Sequence, residues 1–160
     1  MALVIPAAAR VPGSARPSTE LRTLPGRLEW NAALARESIR AARYARPAAV
    51  AIVELKPDRP GADVDPWLRS IAGPIARALR QDCRATDLVA RVASTRFQML
   101  LPETSEEGAA TLAERVAEQC RSLIQATGAP VAVRVSVAGT GLDDTLDEAL
   151  AHALRTIEAA

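Results

Sequence analysis

The chain has 160 residues, 49% hydrophobic and 24% charged, with a formal net charge of +1. That composition suits one packed domain burying roughly two-thirds of its unfolded surface, and the near-neutral charge gives no electrostatic footing for nucleic acid or an anionic membrane. No apolar run reaches transmembrane length, and residues 2–9, broken by Pro6 with no basic residue before them, do not read as a secretory signal. Cys83 and Cys120 belong to no metal-ligand spacing, so a cytoplasmic location with reduced thiols is the expectation.

Residues 1–18 hold Pro6, Pro12, Gly13, Ser14 and Pro17 and read as a mobile N-terminal tail, leaving 19–160 as a single domain. Leu28, Ala32, Ala35, Ile39 and Ala42 recur in steps of four and three, predicting an amphipathic helix with that stripe inward, stopped by Pro47. Ala48 to Leu55 is a short, nearly unbroken apolar run and predicts a strand covered on both faces. Residues 56–64 are a loop by their turn residues. Asp65-Pro66 marks a helix start, and Ile71, Ile75 and Leu79 form its stripe, with a kink or restart expected at Gly73-Pro74.

Leu88 to Val92 and Phe97 to Leu101 read as two strands of a β-hairpin, joined by the four residues Ala93 to Arg96. Thr104 and Glu107 have capping-box spacing for a helix with the stripe Leu112, Val116, Cys120, Leu123 and Ile124, stopped at Gly128. Val131, Val133, Val135 and Val137 alternate as a strand with one main buried face. Leu146, Leu150, Ala153 and Ile157 line a last helix, with Asp143 and Asp144 near its positive end. Without its outer helices the order is βαββαβ. This is an α+β fold of the ferredoxin-like, palm-like plan, an antiparallel-dominated sheet carrying helices on one face.

Several short stretches, in order, resemble a GGDEF domain, the family of diguanylate cyclases that make cyclic di-GMP from two GTP molecules. Thr19-Glu-Leu-Arg-Thr-Leu-Pro-Gly-Arg27 resembles the family's DxLTGLPNR segment, and Ala51-Ile-Val-Glu-Leu55 resembles the strand that ends in DxD. Arg84-Ala-Thr-Asp-Leu-Val-Ala-Arg91 resembles the lead into the signature, Phe97 to Pro102 the strand leaving it, and Val135-Ser-Val-Ala138 the family's VSIG strand. The GGDEF signature falls on Ala93, Ser94, Thr95, Arg96 and Phe97, and only the phenylalanine survives.

The resemblance therefore implies a degenerate member without catalytic residues. The glycines that let the turn approach a substrate are gone. Thr95 stands where the family has a metal carboxylate, and Arg96 adds a positive charge beside it. Glu54 aligns with the other metal aspartate as a vestige, so Mg²⁺ is not expected as a cofactor. The family's phosphate-gripping lysine falls near Leu154, and phosphoryl transfer depends on such positioning and neutralisation.

What the resemblance retains is Arg84-x-x-Asp87, at the position of the family's RxxD inhibitory site for product. It implies cyclic di-GMP binding, with arginine forking onto guanine O6 and N7, the carboxylate accepting from guanine N–H groups, and Arg91 as a further phosphate contact. Arg84 and Asp87 at i, i+3 equally fit a surface ion pair. Two functions stay open: a non-catalytic receptor that binds cyclic di-GMP and regulates a partner, or a docking module that binds a signalling protein, or itself, without nucleotide. His152 reads as solvated, and Trp30 and Trp67 as packing residues.

Overall fold

A computed structural model describes residues 24–141 and 144–160, so the tail at 1–18 and the segment Thr19–Thr23 lie outside the described residues. Four helices, α1 (Arg27–Tyr44), α2 (Asp65–Gln81), α3 (Glu106–Thr127) and α4 (Leu146–Ala159), alternate with β1 (Ala48–Pro57), β2 (Leu88–Ala93), β3 (Arg96–Pro102) and β4 (Val131–Gly139). The strands form one sheet in the order β2-β3-β1-β4, with every neighbouring pair antiparallel. This is the α+β, palm-like arrangement expected from the element order, and β1 lies at its centre.

β1 is buried along its first eight residues, as its apolar run predicts. Its side chains alternate between two cores. Ala49, Ala51, Val53 and Leu55 join Trp67, Ile71, Ile75, Leu79, Val116 and Cys120 beneath α2 and α3. Ala48, Val50 and Ile52 join Trp30, Leu34, Leu146, Ala153 and Ile157 beneath α1 and α4. The two helices of the βαββαβ core, α2 and α3, thus share one face as expected, and the outer helices α1 and α4 cover the other. The outer helices supply the second layer that a strand apolar on both sides requires.

Four local expectations need correction. In α1 the buried residues are Trp30, Leu34, Glu37 and Ala41, while Leu28 and Ile39 are 82% and 69% exposed. The stripe chosen from spacing is the outer face. Helix α2 continues through the exposed Pro74 without restarting. The α3 cap is Ser105, whose hydroxyl accepts from the Gly108 N–H at 3.1 Å, because Thr104 Oγ1 is turned back to the Pro102 carbonyl. In β4, Ser136 and Ala138 are buried on the α4 side while Val133, Val135 and Val137 are only partly covered, so both faces of this edge strand pack.

Gly128 closes α3 in the left-handed conformation, φ 71°, as its position in the sequence predicts. Glu106 of the first α3 turn meets the end of β4 closely. Its Oε2 accepts from the Gly139 N–H at 3.0 Å, and a Cβ on Gly139 would stand 2.8 Å from the Glu106 Cβ.

Candidate functional site: the hairpin corner and the Arg84 cavity

The hairpin is tighter than the sequence suggests. Ala93 pairs with Arg96, so only Ser94 and Thr95 form the turn. Two-residue hairpin turns normally need positive φ, which favours glycine or asparagine. Neither Ser94 nor Thr95 adopts it; instead the ladder carries a bulge between Arg91 and Ala93. The corner is then tied down from three sides. Leu55 N–H donates to the Thr95 carbonyl at 2.9 Å, Arg91 Nη2 to the Ser94 carbonyl at 2.6 Å, and Arg27 Nη2 to the Val92 carbonyl at 3.2 Å. Leu24 packs against the core and the Pro25 carbonyl accepts from Arg91 N–H at 2.9 Å, so the segment before α1 covers the edge strand.

Register places Arg96 directly across β1–β3 from Glu54. The Arg96 Nη2 lies 2.9 Å from Glu54 Oε1, Lys56 Nζ lies 3.6 Å from Glu54 Oε2, and Glu158 Oε1 stands 3.8 Å from Arg96 Nη2. Lys56 Nζ also donates to the Ile157 carbonyl at 3.3 Å, against the negative end of α4. Arg134 is the partner of Glu54 across β1–β4. The carboxylate that resembles a metal ligand is thus 8% exposed and held by two side-chain cations of this chain.

Among the described residues no group of three or more His, Cys, Asp or Glu could hold a metal ion. One carboxylate, Glu54, already paired with Arg96, does not fit a two-cation site. Leu154, near which the family's lysine falls, packs partly buried against the α1/α4 core.

Arg96→Ala is expected to cost about 2 kcal/mol in urea unfolding, since a largely buried carboxylate loses its nearest partner while Lys56 remains. Arg96→Lys is expected to recover only part of this, because a single ammonium lacks the planar fork.

Arg84 and Asp87 come together in the connection between α2 and β2, but not as an ion pair. Asp87 Oδ2 accepts from the Arg84 backbone N–H at 2.7 Å, and Asp87 N–H returns to the Arg84 carbonyl at 3.1 Å. The carboxylate is used to close the turn, which corrects the surface-pair reading. Among the described residues the Arg84 guanidinium has no ion-pair or hydrogen-bond partner, and Asp87 Oδ1 is buried without one. Arg84, Asp87, Pro25, Arg80, Cys83 and Leu88 are among the residues lining a cavity of about 380 Å³. On its other side Arg84 borders a second cavity of about 300 Å³ with Arg40 and Glu103.

Arg91 is not gathered into that cavity. Its guanidinium reaches the hairpin turn and lies 5.8 Å from the centre of the Phe97 ring, and burial draws its pKa down from arginine's ordinary range. Two features went unread in the sequence. Glu37, buried on α1, receives Arg40 Nε and Nη2 at 2.9 Å each, and Arg40 Nη1 continues to Glu103 at 3.2 Å. The i, i+3 spacing of Glu37 and Arg40 was the available signal.

Burial, reinforced by Asp87 and Asp82, pushes the Cys83 thiol up to about 11, and burial does the same for Cys120. Alkylation of both at pH 8 is expected to run about 100-fold slower in the folded chain than in urea, where the thiolate fraction is ordinary. The folded chain holds these protons more tightly than the unfolded one. Stability should therefore fall as pH rises from 9.0 towards about 11.

The GGDEF domain model of diguanylate cyclases matches residues 58–159. The chain belongs to the GGDEF family. Solved structures extend the likeness across the fold. The diguanylate cyclase SiaD of Pseudomonas aeruginosa, solved with its activator SiaC, is 25% identical with a TM-score of 0.67; the match covers 88% of this chain and 58% of that one. This chain therefore spans little more than half of SiaD.

The FimX GGDEF domain of Pseudomonas aeruginosa gives a TM-score of 0.70 at 15% identity, over 91% of this chain and 93% of that one. DgcB of Caulobacter crescentus, a coiled coil and GGDEF domain in complex with c-di-GMP, gives 0.71 at 13% identity, over 89% and 78%. At those identities FimX and DgcB speak to the fold alone. No curated protein matches at an equivalent level. Among the described residues, no helix of this GGDEF chain is long and apolar enough to cross a membrane.

Proposed function

We propose that this GGDEF domain is a non-catalytic cytoplasmic receptor that binds cyclic di-GMP through Arg84 and Asp87 and regulates a protein partner. The observation that carries it is the division of labour in residues 84–87. The Asp87 Oδ2 is consumed by the backbone turn, while the Arg84 guanidinium has no partner among the described residues, and both residues line one cavity. A planar cationic fork offers guanine a donor pair, and Asp87 Oδ1, buried in this structure, becomes an acceptor once the ligand displaces what covers it. Arg91 is assigned to the hairpin, not to the ligand. DgcB, which shares the fold, was solved with c-di-GMP, and SiaD with a protein activator.

Cyclase activity is set aside because Glu54 is engaged by Arg96 and Lys56, and the corner offers a threonine where a second carboxylate is needed. Without divalent cations the triphosphate's charge has no counterweight, so GTP turnover is not expected. Calorimetric titration with cyclic di-GMP tests the reading. Saturable heat is expected from the intact chain; silence at high micromolar ligand would favour the alternative, a docking module that binds a signalling protein without nucleotide.

A further inference from the structure

The outer face of α1 carries an apolar stripe that none of the described residues covers. Leu28, Ala32, Ala35, Ile39 and Ala42 are all exposed, and the inward side of the same helix is the separate set Trp30, Leu34, Glu37 and Ala41. The stripe advances in strict steps of four, three, four and three. That narrow seam is the spacing by which one helix packs along another, rather than the broader face a helix turns to a sheet.

We propose that this face binds a second copy of the chain, the two α1 helices running antiparallel about a two-fold axis. Opposed in this sense, Leu28 of each copy meets Ile39 of the other, and Ala32 meets Ala35 in the two central layers. The large side chains close both ends, and the alanines let the backbones approach between them.

Charge selects the same register. Glu29 and Arg36 flank the stripe on one side, both exposed, and this pairing sets Glu29 of each copy beside Arg36 of the other. Arg36 makes no ion pair among the described residues, and Glu29 uses only Oε2 on the Gly26 N–H. Sliding one helix by one heptad would bring Arg36 against Arg36 and leave Leu28 without a layer. A parallel pair would set Asn31 beside Arg36 and Ser38 beside Arg43, with no opposite charges matched. The axis crosses α1 at its outer face, so the two domain bodies fall on opposite sides of the helix pair. Four layers over an 18-residue helix make a small interface, so the dimer is concentration-dependent. The proposal is independent of cyclic di-GMP binding.

Sedimentation equilibrium of the full chain, from about 1 to 300 µM, is the test, because small interfaces dissociate in this range. The mass is expected to rise from the 16.9 kDa monomer towards twice that value. Leu28→Glu and Ile39→Glu are each expected to hold the monomer at every concentration with unchanged melting, since both positions are exposed in the monomer. A mass that stays monomeric throughout would overturn the proposal, including the case in which residues 1–23 or a different protein take the stripe. So would a dimer that persists in Leu28→Glu and Ile39→Glu.

Orientation is read on a Cys83→Ser background, by mixing Leu28→Cys chains with Ile39→Cys chains under mild oxidation. Disulfides joining unlike chains are expected. Disulfides joining only like chains would overturn the antiparallel arrangement.

Discussion

Arg84→Ala is expected to weaken cyclic di-GMP binding by roughly a hundredfold, because a guanidinium fork on guanine contributes about 3 kcal/mol through charge-assisted hydrogen bonds. The Arg84 guanidinium has no partner to lose among the described residues, so the fold should be untouched and the melting temperature unchanged. Asp87→Asn separates the two duties of the carboxylate. The amide oxygen can still accept the Arg84 backbone N–H, which keeps the turn, while the negative charge of this cavity-lining residue is gone. It should lose about tenfold in affinity with little loss of stability. Arg115→Ala is the control, since that residue pairs with Asp82 and lines neither cavity. Equal affinity in Arg84→Ala and the unmodified chain would remove cyclic di-GMP from the Arg84 cavity.

Phe97→Ala should be among the most destabilising substitutions in the chain, at about 3–5 kcal/mol. Phe97 is fully buried in the core beneath α2 and α3, opposite Val53 on one side and Arg91 on the other. A loss of that size is a large part of the roughly 5–15 kcal/mol that holds a domain together. It should lower the melting temperature by about 10 °C in a calorimetric scan. Phe97→Leu should cost less than half as much. This explains why phenylalanine is the one signature residue retained. It faces the core and supports the sheet, a packing role independent of any chemistry at the four positions before it. A fall of under about 3 °C for Phe97→Ala would contradict that account.

How much could be read beforehand differs from element to element, for physical reasons. β1 was legible because an unbroken apolar run has no polar face to hide, and the core stripes of α2 and α4 because they are built from isoleucine and leucine. The inward face of α1 was not. Alanine is so common here that apolar marks fall on every side of a helix. The inward stripe also contains Glu37, which reads as exposed until Arg40 is seen to grip it. The spacing that suggested burial for Leu28 and Ile39 is real, but it describes a surface.

The site divides in the same way. Arg84 and Asp87 lie three residues apart, so their proximity could be read from the sequence. Which Asp87 oxygen is spent on the backbone could not, since that depends on turn geometry. Arg96 and Glu54 are 42 residues apart, and their contact follows only from the β1–β3 register. Sequence reasoning put a misplaced cation near a vestigial ligand; the structure joins them at 2.9 Å, with Lys56 on the other oxygen. A carboxylate so placed already has its counterions, and a divalent cation would have to displace them before it could meet a triphosphate.

The most direct test of that claim is anomalous diffraction from crystals grown with a non-hydrolysable GTP analogue and excess Mn²⁺. The account predicts no manganese peak between Glu54 and the 93–96 corner, with the Arg96 to Glu54 contact intact. Two manganese ions seated there, with Arg96 swung away, would contradict it.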